Sequence, residues 1–546
     1  MSKAPEATRQ VDCTYSHFAG MNHFSGGWRK RQTARPVVAN PGVSPAAALL
    51  TTPLKQLLAA AKRNCGSRQF PYGIISLNFT EKLRPTPGND VWLVIAFVSL
   101  VFVLGGGGRA DIASLVFLRP LAALTLAYGL VKFEPRHLRD YRALFVISAA
   151  IVVLSVVHLI PLPPALWTAL PGREIVEQID AAAGLTGVWR PISLVPQDGL
   201  NALFALMIPF AALFMSVRLS NAEHRRLAYL LIILAFTSIL LGLLQLQGSA
   251  RGPLYFYRIT NEGKMVGLFS NRNHNAIFLS TIIPVCAYLA SLPVRDRSRL
   301  RLRAGLGLIG AVCILAALVV IGSRAGFAFG VLGSFAAIAI YQKPMVFSRS
   351  HSDPKRPFAL AKYGKIAGVA AVMAIAVGLS AFSQSETMQR VQTTEPIEEQ
   401  RLMLIEPLLH MSWTYFPVGS GIGSFVEAYK IGEPLDLLDP TYLNHAHNDL
   451  LEVLLTAGLP GVALIVIAGA IYAVAAVKVF GRKAAGDENL QRARLGAMIV
   501  GLLALASLVD YPLRTPSLAC LFVIASVWLS CGLIRFDTAD GTLRNA

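Results

Sequence analysis

Ala304-Gly-Leu-Gly-Leu-Ile-Gly-Ala-Val-Cys-Ile-Leu-Ala-Ala-Leu-Val-Val-Ile-Gly-Ser-Arg324 is the stretch that decides how this chain is read. From Ala304 to Gly322 no charged side chain occurs, and those 19 residues coiled as an α-helix measure about 28 Å, the depth of a bilayer's hydrocarbon core. Arg295, Arg297, Arg299, Arg301 and Arg303 stand just before it, and loops rich in Lys and Arg stay cytoplasmic. The stretch therefore reads as a membrane span that starts inside and ends outside at Arg324.

Comparable runs lie outward from this one, near residues 91–107, 113–131, 143–163, 199–217, 227–246, 275–292, 326–341, 365–383, 459–477, 495–510 and 516–534. The expectation is an all-α polytopic membrane protein of about twelve transmembrane helices. Apolar residues make up 54% of the 546 and charged residues 15%, which excludes an ordinary soluble globular chain. The net charge of +19 is no sign of nucleic acid, because the positive residues fall in alternate connections. Lys132 to Arg142, Arg295 to Arg303, Lys343 to Lys365 and Lys478 to Arg494 are expected inside. The segments 164–198, 247–274 and 384–447 are then expected outside, the last as a large extracytoplasmic loop between the ninth and tenth spans.

Residues 1–88 are polar and basic without sustained periodicity, and read as a disordered extension or a start placed too far upstream. The membrane domain is expected over 89–534, with 384–448 as its large loop and 535–546 as a cytoplasmic tail. Cys286, Cys313, Cys520 and Cys531 fall within spans and Cys13 and Cys65 in the N-terminal extension, so no outer-loop pair offers a disulfide.

Function is expected in the long outer segments. Asn444-His-Ala-His-Asn-Asp-Leu-Leu-Glu-Val-Leu-Leu-Thr-Ala-Gly-Leu-Pro-Gly461 places histidines, an amide and acids at the mouth of a span. Asp449 and Glu452 read as a capping box, and Gly458 with Pro460 as a stop, predicting a short helix from about Leu450 to Ala457. His447 lies just before that helix, where the helix dipole disfavours imidazolium and leaves the ring able to accept a proton. Upstream, Leu402, Leu404, Ile405, Leu408, Leu409, Met411 and Trp413 form an amphipathic helical pattern ahead of Phe416-Pro-Val-Gly-Ser-Gly-Ile-Gly-Ser-Phe425. The glycines suggest a phosphate loop, but no preceding strand supports one.

Several separated motifs together resemble the family of O-antigen ligase and O-antigen polymerase-like membrane glycosyltransferases. They are Gly267-Leu-Phe-Ser-Asn-Arg-Asn-His-Asn-Ala276, Ser323-Arg-Ala-Gly326, Arg401 with Pro417-Val-Gly-Ser-Gly-Ile-Gly423, His447-Asn-Asp with Gly458-Leu-Pro-Gly461, and Val509-Asp-Tyr-Pro-Leu-Arg514. The resemblance covers roughly residues 160 to 530. It implies a GT-C-like fold in the bacterial inner membrane, and transfer of a glycan from an undecaprenyl-diphosphate carrier to an acceptor hydroxyl on the periplasmic face. The acceptor it implies is lipid A-core, a growing polysaccharide or a protein. Arg324 and Arg401 match the family's diphosphate-binding arginines, and guanidinium groups suit the leaving diphosphate because they grip oxygens in pairs. His447 matches the essential histidine that would deprotonate or orient the hydroxyl. Arg272, His445 and Asn448 are the neighbouring candidates for substrate binding. One departure is visible: Leu450 stands where an aromatic residue commonly follows His-Asn-Asp.

Plainer roles compete. Arg324 can be an interfacial arginine, Arg401 can pair with Glu398 or Glu399, and His158, His274 and His410 read as structural. Asp510 and Arg514 most simply pair with each other. No Asp-x-Asp pair occurs, so no metal is expected, although the acids of the 384–447 loop could assemble a site in space; no cofactor is expected either. The partners expected are the carrier-linked donor, one such acceptor and membrane lipids, with no nucleic acid. A transporter or flippase of lipid-linked glycan is the alternative, but such proteins place ionisable residues near mid-membrane, where Arg119 is the clearest charge here.

Overall fold

The computed structural model describes residues 89–294, 296–346, 403–438, 442–482 and 487–544. Among them the secondary structure is helical, apart from isolated bridges at Leu162 with Arg190 and Val294 with Val346. The apolar runs become α1 (Asn89–Leu104), α2 (Leu115–Val131), α3 (Arg142–Val157), α4 (Pro196–Ala205) continuing into α5 (Met207–Ser216), α6 (Asn221–Gln247), α7 (Arg272–Ser291), α8 (Arg297–Ile321) and α9 (Arg324–Ile340). After the short α10 (Ile405–Thr414) and α11 (Phe425–Gly432) come α12 (Asp449–Phe480), α13 (Glu488–Ala506) and α14 (Pro516–Arg544). Six of the described helical segments are long and apolar enough to cross a membrane, and α1, α2, α3 and α9 are shorter apolar helices. The expected span 365–383 and the N-terminal extension lie outside the described residues.

Helix ends differ from the apolar runs where local chemistry intervenes. The third run stops at Val157, and the backbone from His158 through Pro161 and Pro163 leaves the helix, since proline supplies no N–H. The run expected at 495–510 starts earlier, at Glu488, because Asp487 caps it by accepting from Asn489 N and Leu490 N at 2.9 and 3.3 Å. Its polar first turns are buried in the bundle, where Arg492 donates to Asn221 Oδ1 at 2.8 Å.

α7 is the central helix, with 94% of its apolar window buried. α9 packs on it closely because Gly333 meets the chain at Ser280, where an added Cβ would stand 2.4 Å from the carbonyl oxygen. Small residues at such crossings let backbones approach in lipid, where water gives no hydrophobic drive between helices.

The helices are tied at both ends. At one end Arg218 pairs with Asp90, Tyr128 Oη donates to Asp90 at 2.7 Å, and Arg225 pairs with Glu488 at 3.1 Å. At the other, Ser270 N donates to Gly106 O, Ser517 N to Gly105 O and Asp449 N to Ser507 O, at 3.1, 3.1 and 2.8 Å. This second end carries the candidate residues.

Gly333→Ala should lower stability by about 1–3 kcal/mol, because the new methyl meets backbone rather than a movable side chain. Gly469→Ala is the control, since nothing lies within 4 Å of a Cβ there. Thermal melting of the detergent-solubilised protein should separate the two.

Candidate functional site

The site is built where α12 begins. The predicted short helix and stop are present: α12 is broken at Gly458, whose φ of 56° and ψ of −150° are open to glycine alone. A Cβ at Gly458 would stand 2.2 Å from Pro417 O, so the glycine-rich turn passes directly through the break. Ser420 N donates to Leu455 O at 2.9 Å, Gly421 N to Thr456 O at 2.8 Å, and Leu459 N to Pro417 O at 2.8 Å. Ile422 N donates to His158 Nδ1 at 3.2 Å. With these amides committed to protein acceptors, the turn is a packing element and not a phosphate cradle. Buried Arg173 fastens the same region, donating to Ile192 O at 2.6 Å and Gly419 O at 3.1 Å.

The helix begins one residue away from the expected capping box. Asn448 is the cap, its Oδ1 accepting from Leu450 N at 3.0 Å and Leu451 N at 3.1 Å. Its carbonyl oxygen is thus spent on the helix end. His447, just before it, has φ +50°, the one positive value at a non-glycine residue among the described residues. A left-handed backbone at such a residue costs about 1–2 kcal/mol and persists where surroundings enforce it.

The ring of His447 is met by Asp510. His447 Nδ1 lies 3.2 Å from Asp510 Oδ1, and its ring meets Tyr511 at 4.9 Å between centroids. Asp510 is fully buried. Its Oδ1 also accepts from Tyr511 N at 3.0 Å, and its Oδ2 from Asn273 Nδ2 at 3.0 Å. The buried His274 ring lies 3.8 Å from Oδ1 through Nε2. Burial alone would raise this carboxyl, but hydrogen bonds and charge from His274 and His447 outweigh it and hold Asp510 well below the ordinary carboxylate value. A carboxylate at Nδ1 fixes the tautomer in which Nε2 is the acceptor. His447 keeps 21% of its side chain exposed, and no hydrogen bond to its Nε2 occurs among the described residues.

His445 is held differently. Its Nδ1 lies 3.0 and 3.2 Å from the two carboxylate oxygens of buried Glu452, and its Nε2 is 3.1 Å from Gly108 O. Both ring nitrogens are engaged, which makes His445 a strut. Glu452 also accepts from Ala446 N at 3.1 Å and pairs with Arg514 at 3.2 Å, while Arg514 Nε donates to Asp449 Oδ1 at 3.0 Å. The expected Asp510–Arg514 pair is therefore replaced by two separate partnerships. The reason is local: α13 ends at Ala506 and Pro512–Arg514 form a 3-10 turn, so the spacing of an α-helical turn does not apply.

The arginine helices converge on the same carboxylate. Ser323 caps α9, its Oγ accepting from Gly326 N at 3.0 Å and donating to Asn273 Oδ1 at 2.9 Å. Arg324 is the first residue of α9, and Arg272 is the first of α7, with its backbone N donating to Asn261 Oδ1 at 2.9 Å. Hydrogen bonds therefore bring the turns bearing Arg272 and Arg324 together with His445, His447 and Asn448. Arg401 lies outside the described residues. His410, on the exposed side of α10, is not part of this cluster. Sequence reasoning missed Asp510 as the partner of His447, Glu452 as the partner of His445, and Asn273 as the bridge between them and α9. The available signal was their position: acids and an amide at helix ends, beside motifs already singled out.

Membrane-length apolar helices, with a cluster of histidines and carboxylates at one end, mark a multi-pass membrane protein. Residues 309–466 match the family described as O-antigen ligase, so that segment is similar to this family. The matched segment runs from within α8 into α12 and includes Arg324, Arg401, His445, His447 and Asn448. Arg272, Asn273 and Asp510 lie beyond it. No curated protein matches the chain.

The His158 contact predicts a pH response. Burial first, then the charge of Arg173, push this ring from 6.5 down to about 4, so its contribution is complete above 6.5 and lost as pH falls through 4. Hydrogen exchange at Ile422, corrected for its intrinsic pH dependence, should increase over that window in the native protein and lose this response in His158→Gln.

Proposed function

We propose that this protein transfers a glycan from an undecaprenyl-diphosphate carrier to an acceptor hydroxyl. The observation that carries the reading is His447, held through Nδ1 by a buried carboxylate and with part of its side chain exposed, beside two helix N-termini that each begin with arginine. The acceptor O–H gives its proton to His447 Nε2 as its oxygen attacks the anomeric carbon of the donor sugar. The bond from that carbon to the diphosphate oxygen breaks, and the diphosphate leaves with the electron pair. Asp510 orients the ring and stabilises the imidazolium that forms, the part a buried carboxylate plays beside a catalytic histidine.

Arg324 and Arg401, with Arg272 alongside, hold the leaving diphosphate, whose growing negative charge is also favoured by the N-termini of α7 and α9. Asn448 and His445 shape the acceptor side by fixing the turn that presents His447. No metal or other cofactor is required in this scheme.

In this reading the chain has about twelve spans in the bacterial inner membrane. The large loop is extracytoplasmic, between the ninth and tenth spans, and the site faces the periplasm. The acceptor is lipid A-core, a growing polysaccharide or a protein. The position of the ionisable cluster at helix ends favours transfer over transport, because a transporter binds its cargo near mid-membrane.

Transfer assayed in vitro with purified carrier-linked glycan tests the chemistry. His447→Ala should reduce the rate by about 10² to 10⁴, the usual contribution of a positioned base, with expression and donor binding nearly unchanged. Near-normal turnover would sink the assignment. Arg324→Lys keeps the charge but loses the forked contact, and should fall by roughly tenfold or more.

Sidedness has its own test. In a cysteine-free background, the exposed positions Ser249 and Ser298 changed singly to Cys should differ, Ser249→Cys alone reacting with an impermeant thiol reagent on spheroplasts. The opposite pattern would invert the topology.

A further inference from the structure

We infer that Asn273 is a positioning residue that sets the carboxylate behind His447 and ties it to the turn carrying Arg324, an inference that rests on the transferase reading. The direction of each hydrogen bond is fixed by chemistry. An ionised Asp510 can only accept, so Asn273 must turn its Nδ2 toward Oδ2, at 3.0 Å. Asn273 Oδ1 then faces Ser323 Oγ at 2.9 Å, and Ser323, which already accepts from Gly326 N, supplies the hydrogen. An amide meets both demands, one group donating and the other accepting. A carboxylate cannot donate, and an apolar residue can do neither.

The bridge has a mechanical meaning. Asn273 is rigidly placed, being the second residue of α7, with its own N–H received by Asn271 Oδ1 at 2.8 Å. From that fixed point its side chain spans two elements that the reaction must coordinate. One is the α9 turn, where Ser323 precedes the arginine that grips the leaving group. The other is Asp510, which aims the base. Donor held at Arg324 and acceptor held at His447 are thus registered to each other through one amide.

The bridge also has an electrostatic meaning. The donor N–H of Asn273 spreads part of the Asp510 charge away from His447, so removing it leaves more negative potential at the imidazole. Imidazolium is then favoured, and the base is lost at a higher pH than before. The other ionisable groups here are His274 and Arg272 from α7, Tyr511 and Arg514 from the 507–515 segment, His445, Asp449 and Glu452 from the start of α12, and Arg324 at the head of α9. Asp449, Glu452, Arg514 and His445 are paired among themselves, and none of them touches Asn273 through a described hydrogen bond.

The test uses the full-length protein and two variants that cannot hydrogen-bond through the side chain, Asn273→Leu, which keeps the bulk, and Asn273→Ala, which removes it. Transfer is measured from pH 5 to 9 with purified carrier-linked glycan. Both variants should lower kcat by roughly tenfold or more, change donor KM by less than about twofold, and move the acid limb upward by about one unit. A purely structural asparagine would lower yield or raise KM and leave the acid limb in place, and that result overturns the inference.

Titration of isotope-labelled histidine by NMR, with His447→Gln identifying the resonance, reads the same effect without turnover. An unmoved His447 titration in the folded Asn273→Leu protein overturns the inference even if the rate falls. A native protein that transfers no glycan overturns the transferase reading instead, and the two failures are distinguished by that control.

Discussion

A carboxylate removed from water must be surrounded by donors or the region around it does not close, and Asp510 is that carboxylate here. Its donors come from distant parts of the chain: Asn273 at the head of α7, His447 before α12, and the backbone of Tyr511 beside it. The N-terminus of α9 joins through Ser323. Each participant lies at a helix end, where the first turns leave backbone groups to be capped and side chains free to face inward. Helix packing sets the distance between those ends, and the anion selects which side chains turn toward it.

Next to this carboxylate lies a second buried one with a different purpose. Glu452 is neutralised by Arg514 and by His445, and His445 is closed at its other nitrogen by Gly108 O. Removing one partner of such a pair costs about 3–5 kcal/mol, since the survivor is stranded without solvent. That network behaves as a foundation: it fixes the segment from His445 to Glu452, and thereby the strained turn at His447 between them. The strain is evidence of this restraint, because a free loop would relax away from φ +50°.

Much of the architecture was legible in the chain because length and hydropathy are sufficient to mark a membrane helix. The run at 304–322 lies within α8 as far as Ile321, with Gly322 as its cap, and the stop read from Gly458 and Pro460 is the break in α12. What was not legible is pairing across the bundle. Asp510 and Arg514 are close in sequence, and helical spacing would join them; the chain instead leaves the helix at Ala506 and sends each to its own partner. No local pattern contains the 237-residue separation between Asn273 and Asp510. The capping box failed for a related reason: Glu452 had stronger partners in His445 and Arg514 than the helix end could offer, and Asn448 took the cap.

The contrast between the two histidines shows what decides a functional assignment. His445 and His447 share a dipeptide-spaced motif, stand 4.5 and 4.9 Å from the same Tyr511 ring, and each meets a buried carboxylate through Nδ1. Residue type, spacing and electrostatic surroundings therefore do not distinguish them. The difference is Nε2. In His445 it faces a backbone carbonyl, while no hydrogen bond to Nε2 of His447 occurs among the described residues. A base needs one nitrogen committed to an orienting partner and the other open to a substrate proton. Of these two rings, His447 is the one that fits the proposed role of base, and His445 fits that of a strut for its turn.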